Sequence, residues 1–189
     1  EKIGYSSKHL MSLINDILEM SKIDAGKMKI AHEAFDLKTV AESITSIIYP
    51  QAVEKGLLFT VPLIELTETV MIGDAMRLNQ ILLNLLSNSL KFTPKGGTIR
   101  LEIRQIQRKR SRVRLGFTVC DTGYGMSREF MKRLFTPFEQ ESVAAGQKFG
   151  GTGLGMAITR NLVMLMGGTI SVKSELGKGT AFSVELDFD

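Results

Sequence analysis

One helix does most to limit what this chain can become. From Asp74, a residue suited to capping a helix, Leu78, Ile81, Leu82, Leu85 and Leu86 recur at three- and four-residue steps and make one apolar stripe. Asn84 and Asn88 stand four residues apart and Lys91 follows three later, so these polar side chains share another face. A helix so oily behind and polar in front must lie on a core with its amides turned away from it. The 189 residues suffice for one ordinary domain with such a core and one appended element.

Other segments arrange themselves around that helix. Residues 1 to about 26 read as one long amphipathic helix, with Ile3, Leu10 and Ile17 every seven residues and Leu13 and Met20 completing the pattern. Ile14 and Leu18 widen the stripe toward what a helical bundle buries, and Gly26 suits the C-terminal cap. Met28 to Ala31 is expected as a short strand. Asp36 should cap a helix reaching about Lys55 and ended by Gly56, with a kink or irregular turn at Pro50. Strands are expected over Leu57 to Val61, Val70 to Ile72, about Thr98 to Ile106 and Val113 to Cys120. Ser127 caps a short helix containing Phe130, Met131 and Leu134, and Gly153 to Met166 forms another helix. Thr169 to Ser174 and Thr180 to Asp187 make a hairpin turning at Gly177 and Gly179. This pattern predicts an α+β fold, a two-layer α/β sandwich around one core.

Composition narrows the partners. A net charge of +4 suits an anionic ligand as well as nucleic acid, so it decides nothing alone. The basic link of Arg108, Lys109, Arg110 and Arg112 lacks interleaved aromatics and reads as a solvated hairpin tip, so no nucleic-acid partner is expected. A single Cys120 excludes an intrachain disulfide, suits a reducing compartment and reads as a buried, inert thiol. No apolar stretch approaches the ~20 residues that span a bilayer, so no membrane contact is expected of these residues. The chain opens Glu-Lys-Ile rather than with Met and reads as a piece of a longer protein, whose sensing modules or membrane anchor would lie elsewhere.

Three motifs carry chemistry. Amide oxygens such as those of Asn84 and Asn88 are hard ligands for Mg²⁺, and Lys91 offers a point charge to phosphate; a merely solvated polar stripe is the alternative that these residues leave open. In Asp121-Thr-Gly123-Tyr-Gly125 a strand ends at a carboxylate able to accept hydrogen bonds from an adenine amine, and the glycines let backbone pass close to a flat ligand. Many strand-end turns share that pattern. Gly150-Gly151-Thr-Gly153-Leu154-Gly155 precedes an apolar-periodic helix, so bared amides and a helix start could face phosphate, or the segment could be a plain turn. It is not a Walker A loop, because no Gly-Lys-Ser/Thr follows at the required spacing.

The order and spacing of these motifs resemble the catalytic and ATP-binding domain of sensor histidine kinases, within the gyrase/MutL-type ATPase superfamily. Asn84 to Thr93 matches the N box, Asp121 to Gly125 the first glycine box, Phe135-Thr-Pro-Phe138 the F box, Gly151 to Gly155 the second glycine box and Gly177 to Thr180 the third. The resemblance covers about residues 28 to 188 and implies a Bergerat-type fold, a mixed sheet covered by about three helices. It divides the chain into residues 1–27, resembling the second helix of the dimerisation hairpin, and the catalytic domain, 28–189.

By that resemblance Asn88 would coordinate Mg²⁺, with Asn84 and Lys91 serving the phosphates of ATP. Phe92 would pack on the base, and Asp121 would bind the adenine amine, with Thr180 helping through water. Gly123 and Gly125 would admit the base, and Gly153, Leu154 and Gly155 would present amides to the phosphates. Phe135 and Phe138 would anchor a lid formed by residues 139–150, in which Lys148 stands beside Gln147, where the family often has a basic residue. Hydrolytic relatives place Glu where this chain has Asn84, which cannot act as a general base, so the site is expected to hold ATP for transfer.

The resemblance further implies a parent that dimerises through the hairpin and phosphorylates a response regulator or receiver domain downstream, with this domain in the cytoplasm and any anchor in the cell membrane supplied by other parts of the parent. Neither histidine fits the acceptor: His9 is followed by Leu10-Met11, and His32-Glu33 comes after the Ser-Lys-Ile-Asp helix rather than before it. The phosphorylated histidine is therefore expected outside these residues. The alternatives are a nucleotide-binding regulatory module without transfer activity, or a hydrolytic ATPase of the same superfamily.

Overall fold

The two-faced helix forms as expected. In a computed structural model that describes residues 2–140 and 152–189, helix α3 (Ala75–Phe92) is capped by Asp74, whose carboxylate accepts from Arg77 N. Leu78, Ile81, Leu82, Leu85 and Leu86 are fully buried. Truncating any one to Ala is expected to cost about 2–5 kcal/mol, because the cavity left cannot fully collapse.

What α3 lies on is a six-stranded mixed sheet. Its strands run in the order β2 (Leu58–Thr60), β5 (Thr98–Lys109), β6 (Arg112–Asp121), β8 (Gly179–Phe188), β7 (Thr169–Glu175), with β3 (Leu63–Ile64) also pairing β5. β2 and β3 run parallel to β5, and the remaining pairs are antiparallel. Alternation sends Ile99, Leu101, Ile103, Leu115, Phe117, Val119 and Val184 to the helix side, while Arg100, Glu102 and Arg104 pair with one another on the other side. Helices α2 (Leu37–Glu54), α3 and α5 (Gly155–Leu165) form the covering layer, and α4 (Arg128–Arg133) is a short turn capped by Ser127.

The first helix, α1 (Lys2–Asp24), docks against α5 and α3. Glu19 pairs with Arg77 and accepts from Gln80 Nε2 at 2.7 Å, and Asp16 accepts from Thr152 Oγ1 at 2.8 Å. Met20 and Ile23 pack on the core, yet Leu10, Ile14, Ile17 and Leu18 stay exposed, so this part of its apolar stripe is not covered by the described residues.

Several local expectations are corrected. Met28 to Ala31 is not a strand: Ala31 N–H is taken by Asp74 Oδ2 at 2.8 Å, and the strand comes later, as β1 (Glu33–Asp36). It pairs antiparallel with β4 (Val70–Gly73) in a separate two-stranded sheet. Pro50 makes no irregular turn, since α2 runs through it; Pro50 and Ser46, the carbonyl left without its helical partner, both lie on the exposed side. Helix α5 starts at Gly155 rather than Gly153, whose φ of +72° is not helical. Cys120 is half-buried rather than buried, because alternation puts Val119 inward and Cys120 outward; burial still pushes its thiol up. At the basic hairpin, Arg108 pairs with Glu68, Arg112 with Asp189 and Arg114 with Asp187. His32 is exposed beside Asp189, and the side chain of His9 lies outside the described ones.

Candidate functional site

The polar face of α3 meets the start of α5. Asn84 Nδ2 donates to Thr159 Oγ1 at 2.6 Å, and Asn88 Nδ2 reaches the sulfur of Met156 at 3.2 Å. Gly155 sits directly over Asn84: a Cβ there would stand 2.7 Å from Asn84 Oδ1. Leu154, at the N-cap of α5, makes no side-chain cap hydrogen bond, although Thr152 Oγ1 accepts from Leu154 N at 3.2 Å. The first-turn amides of a helix have no intrahelical partner, so a helix start set beside two asparagines is of a kind that suits an anion.

At the end of α3, Lys91 lies with Nζ 4.8 Å from the centroid of the Phe92 ring, and desolvation holds its amine below the usual lysine range. Lys55 secures this end by donating to the carbonyls of Leu90 and Lys91. Phe92 O in turn accepts from Tyr124 N at 3.2 Å, which ties the Asp121–Gly125 turn to the helix.

Asp121, the last residue of β6, accepts from Ser89 Oγ at 2.8 Å, Gly123 N at 2.9 Å and Thr180 N at 3.3 Å. Burial pushes its carboxyl above the usual carboxylate range, and these three hydrogen bonds pull it back. Thr180 Oγ1 lies 2.8 Å from Ser174 Oγ. The structure supplies its own reason for the glycines of this turn. A Cβ at Gly123 would stand 2.6 Å from Phe92 O, and one at Gly125, where φ is +68°, would stand 2.0 Å from Glu175 O. Close approach of the chain to itself already requires them.

The F box divides. Phe135 packs on the core with Arg160 over its ring, whereas Phe138 is 66% exposed and is held through its backbone, N–H to Gly153 O at 2.9 Å. Leu154 is buried. Lys148 and Gly151, with Gln147 and the expected lid from 141 onward, lie outside the described residues.

Two contributors escaped the sequence reading. Ser89 and Thr159 are buried hydroxyls on otherwise apolar helix faces, a visible signal, but their partners are 32 and 75 residues away.

Mg·ATP fits the donors present. Among the described residues no group of three His, Cys, Asp or Glu could hold a metal, and amide oxygens sharing a hard cation with phosphates need no such cluster. The missing side chain at Gly155 lets the start of α5 lie close against the Asn84 amide, since a Cβ there would overlap its oxygen.

Geometry thus defines an α/β sandwich with a glycine-led helix start set against a polar helix face, and a buried carboxylate at a strand end. The family model for histidine kinase-, DNA gyrase B- and HSP90-like ATPases matches residues 73–189, and the chain belongs to that family, as an ATP-binding catalytic domain of the sensor histidine kinase type. It is 39% identical over 188 residues to the non-motile and phage-resistance protein of Caulobacter vibrioides, covering 98% of this chain and 22% of that protein. Against the autoinducer 2 sensor kinase/phosphatase LuxQ of Vibrio cholerae the identity is 37% over 184 residues, covering 97% of this chain and 21% of that one. The crystal structure of full-length ShkA in complex with AMPPNP superposes with a TM-score of 0.80 at 33% identity, covering 97% of this chain and 37% of that chain. The chain thus spans about a fifth of the length of these two curated relatives.

Proposed function

We propose that this domain binds Mg·ATP and transfers the γ-phosphate to a histidine on a dimerisation hairpin outside these 189 residues. The observation that carries the reading is the meeting of the Asn84–Asn88 face with the uncapped start of α5 at Gly155. Asn88 holds Mg²⁺, Asn84 and Lys91 serve the phosphates, and the amides of Gly153, Leu154 and Gly155 donate to them, that of Leu154 giving up Thr152 Oγ1 to do so, with Lys148 and Gly151 contributing from outside the described residues. Bound Mg²⁺ supplies neutralisation of charge on the β- and γ-phosphates. Asp121 accepts from the adenine amine, Thr180 assists through water, and Phe92 flanks the base. Because Asn84 cannot take a proton from water, the pocket favours transfer over hydrolysis.

Residues 1–27 act as the second helix of the hairpin, the catalytic domain being 28–189. The exposed stripe of Leu10, Ile14, Ile17 and Leu18 supports this, since a bundle helix needs partners for just such a face. The parent then acts as a homodimer upstream of a response regulator, with this domain in the cytoplasm and any anchor elsewhere. Among the described residues no helix is long and apolar enough to cross a membrane.

The test mixes the chain, Mg²⁺ and γ-labelled ATP with a separate protein bearing an intact hairpin. Acid-labile, base-stable label on its histidine is expected. Absence of label despite measured nucleotide binding overturns the proposal. For the base, Asp121→Asn is expected to weaken ATP by about tenfold or more and GTP far less, because a buried acceptor for the amine is lost. Equal losses in a competition assay remove Asp121 from adenine recognition.

A further inference from the structure

Ser89 is 2% exposed, one of four buried polar side chains among the described residues. It lies on the stripe of Leu85 and Leu86, where an apolar side chain would pack and where Ser carries a cost in helix propensity. Its hydroxyl donates to Asp121 Oδ2 at 2.8 Å. The backbone donors Gly123 N and Thr180 N both go to the other oxygen, Oδ1. Ser89 is therefore the sole holder of Oδ2 among the described residues. Turning the carboxylate about its Cβ–Cγ bond moves both oxygens, so the Ser89 hydrogen bond adds a hold on the second oxygen to the two already on the first.

We propose that Ser89 is a specificity-determining positioning residue, fixing the plane of the Asp121 carboxylate so that its remaining acceptor positions meet the exocyclic amine of a 6-aminopurine nucleotide. The inference rests on Asp121 being the base-recognition group. Ser89 acts through Asp121, and no covalent step is involved. A 6-oxopurine would bring its own acceptor against acceptor lone pairs that cannot swing away, and a base without the amine would leave them unpaired. The hydroxyl thus completes the hold on both oxygens that makes the carboxylate a reader of one functional group.

The experiment compares Ser89→Ala, Ser89→Thr and Asp121→Asn with the unmodified chain. Dissociation constants are measured for ATP, GTP and purine riboside triphosphate, which lacks the amine, and thermal melts check folding. The unmodified chain is expected to favour ATP over both other nucleotides. Ser89→Ala should shrink the preference over purine riboside triphosphate by about tenfold, the weight of a hydrogen bond to a charged group. Its affinity for purine riboside triphosphate should stay within about twofold, since only the amine contact depends on the hydroxyl. Ser89→Thr, which keeps the hydroxyl, should retain the preference. If Ser89→Ala weakens all three nucleotides equally, or none, while Asp121→Asn abolishes the preference, the role of Ser89 is overturned and that of Asp121 stands. If Asp121→Asn also leaves the preference intact, base recognition by Asp121 falls and this inference falls with it.

Discussion

Alanine in place of Asn88 is expected to lower phosphotransfer to the hairpin histidine by at least about a hundredfold, with the melting temperature shifted by no more than about a few degrees. The two halves of this expectation have separate causes. Among the described residues the side-chain amide of Asn88 hydrogen-bonds only the sulfur of Met156, a weak acceptor, and Ala is the better helix former, so little stability is at stake. The hard amide oxygen, by contrast, is the group proposed to hold Mg²⁺ against the phosphates, and a cation there contributes several kcal/mol of charge stabilisation in the transition state. Single-turnover transfer from labelled ATP, with calorimetric melts alongside, measures both. Wild-type transfer by this variant would remove Asn88 from metal binding.

Gly179→Ala is the second large effect expected. At φ +102° the backbone occupies a region that side chains rarely adopt, and a Cβ would stand 2.0 Å from the carbonyl oxygen of Asp121. That oxygen belongs to the last pair of the β6–β8 ladder, Asp121↔Thr180, so relief of the overlap must separate the two residues that form the base side of the site. A loss of about 3 kcal/mol or more is expected in urea unfolding, together with at least about tenfold weaker ATP binding. Gly177→Ala is the control. Its φ is also positive, +77°, but nothing lies within 4 Å of the added carbon, so roughly 1 kcal/mol and unchanged affinity are expected. Equal costs at the two positions would place the whole effect in backbone conformation and none in the approach to Asp121.

That contrast marks where reading the sequence stops. Gly177 and Gly179 are both glycines at a hairpin turn, and nothing local distinguishes the one that only turns from the one that lets β8 press on Asp121. The same holds for Gly123 and Gly125. Their residue type suggested room for a ligand, while the structure places Phe92 O and Glu175 O where their side chains would be. The strand expected at Met28 to Ala31 failed for a related reason: pairing of β1 with β4 depends on a register set some forty residues away in the chain. In the F box, Phe135 and Phe138 look equivalent as letters, and only packing shows one half-buried and the other exposed.

The polar-fronted helix was legible because its determinants are local. Periodicity of three and four residues fixes a face, and a short-range hydrogen bond from a capping Asp fixes the start, so α3 and its buried stripe emerged nearly residue for residue. Asn84, Asn88 and Lys91 on one face, Asp121 at a strand end and a glycine turn before a helix could likewise be named as separate pieces. Only the tertiary structure brought the pieces to one place. Burial and hydrogen bonding between residues distant in the chain turn Asn84 toward Thr159, clamp Asp121 with Ser89 and Thr180, and leave Leu10, Ile14, Ile17 and Leu18 of α1 exposed. Those contacts arise from packing layers against each other, and no window of sequence short enough to read for periodicity contains both partners.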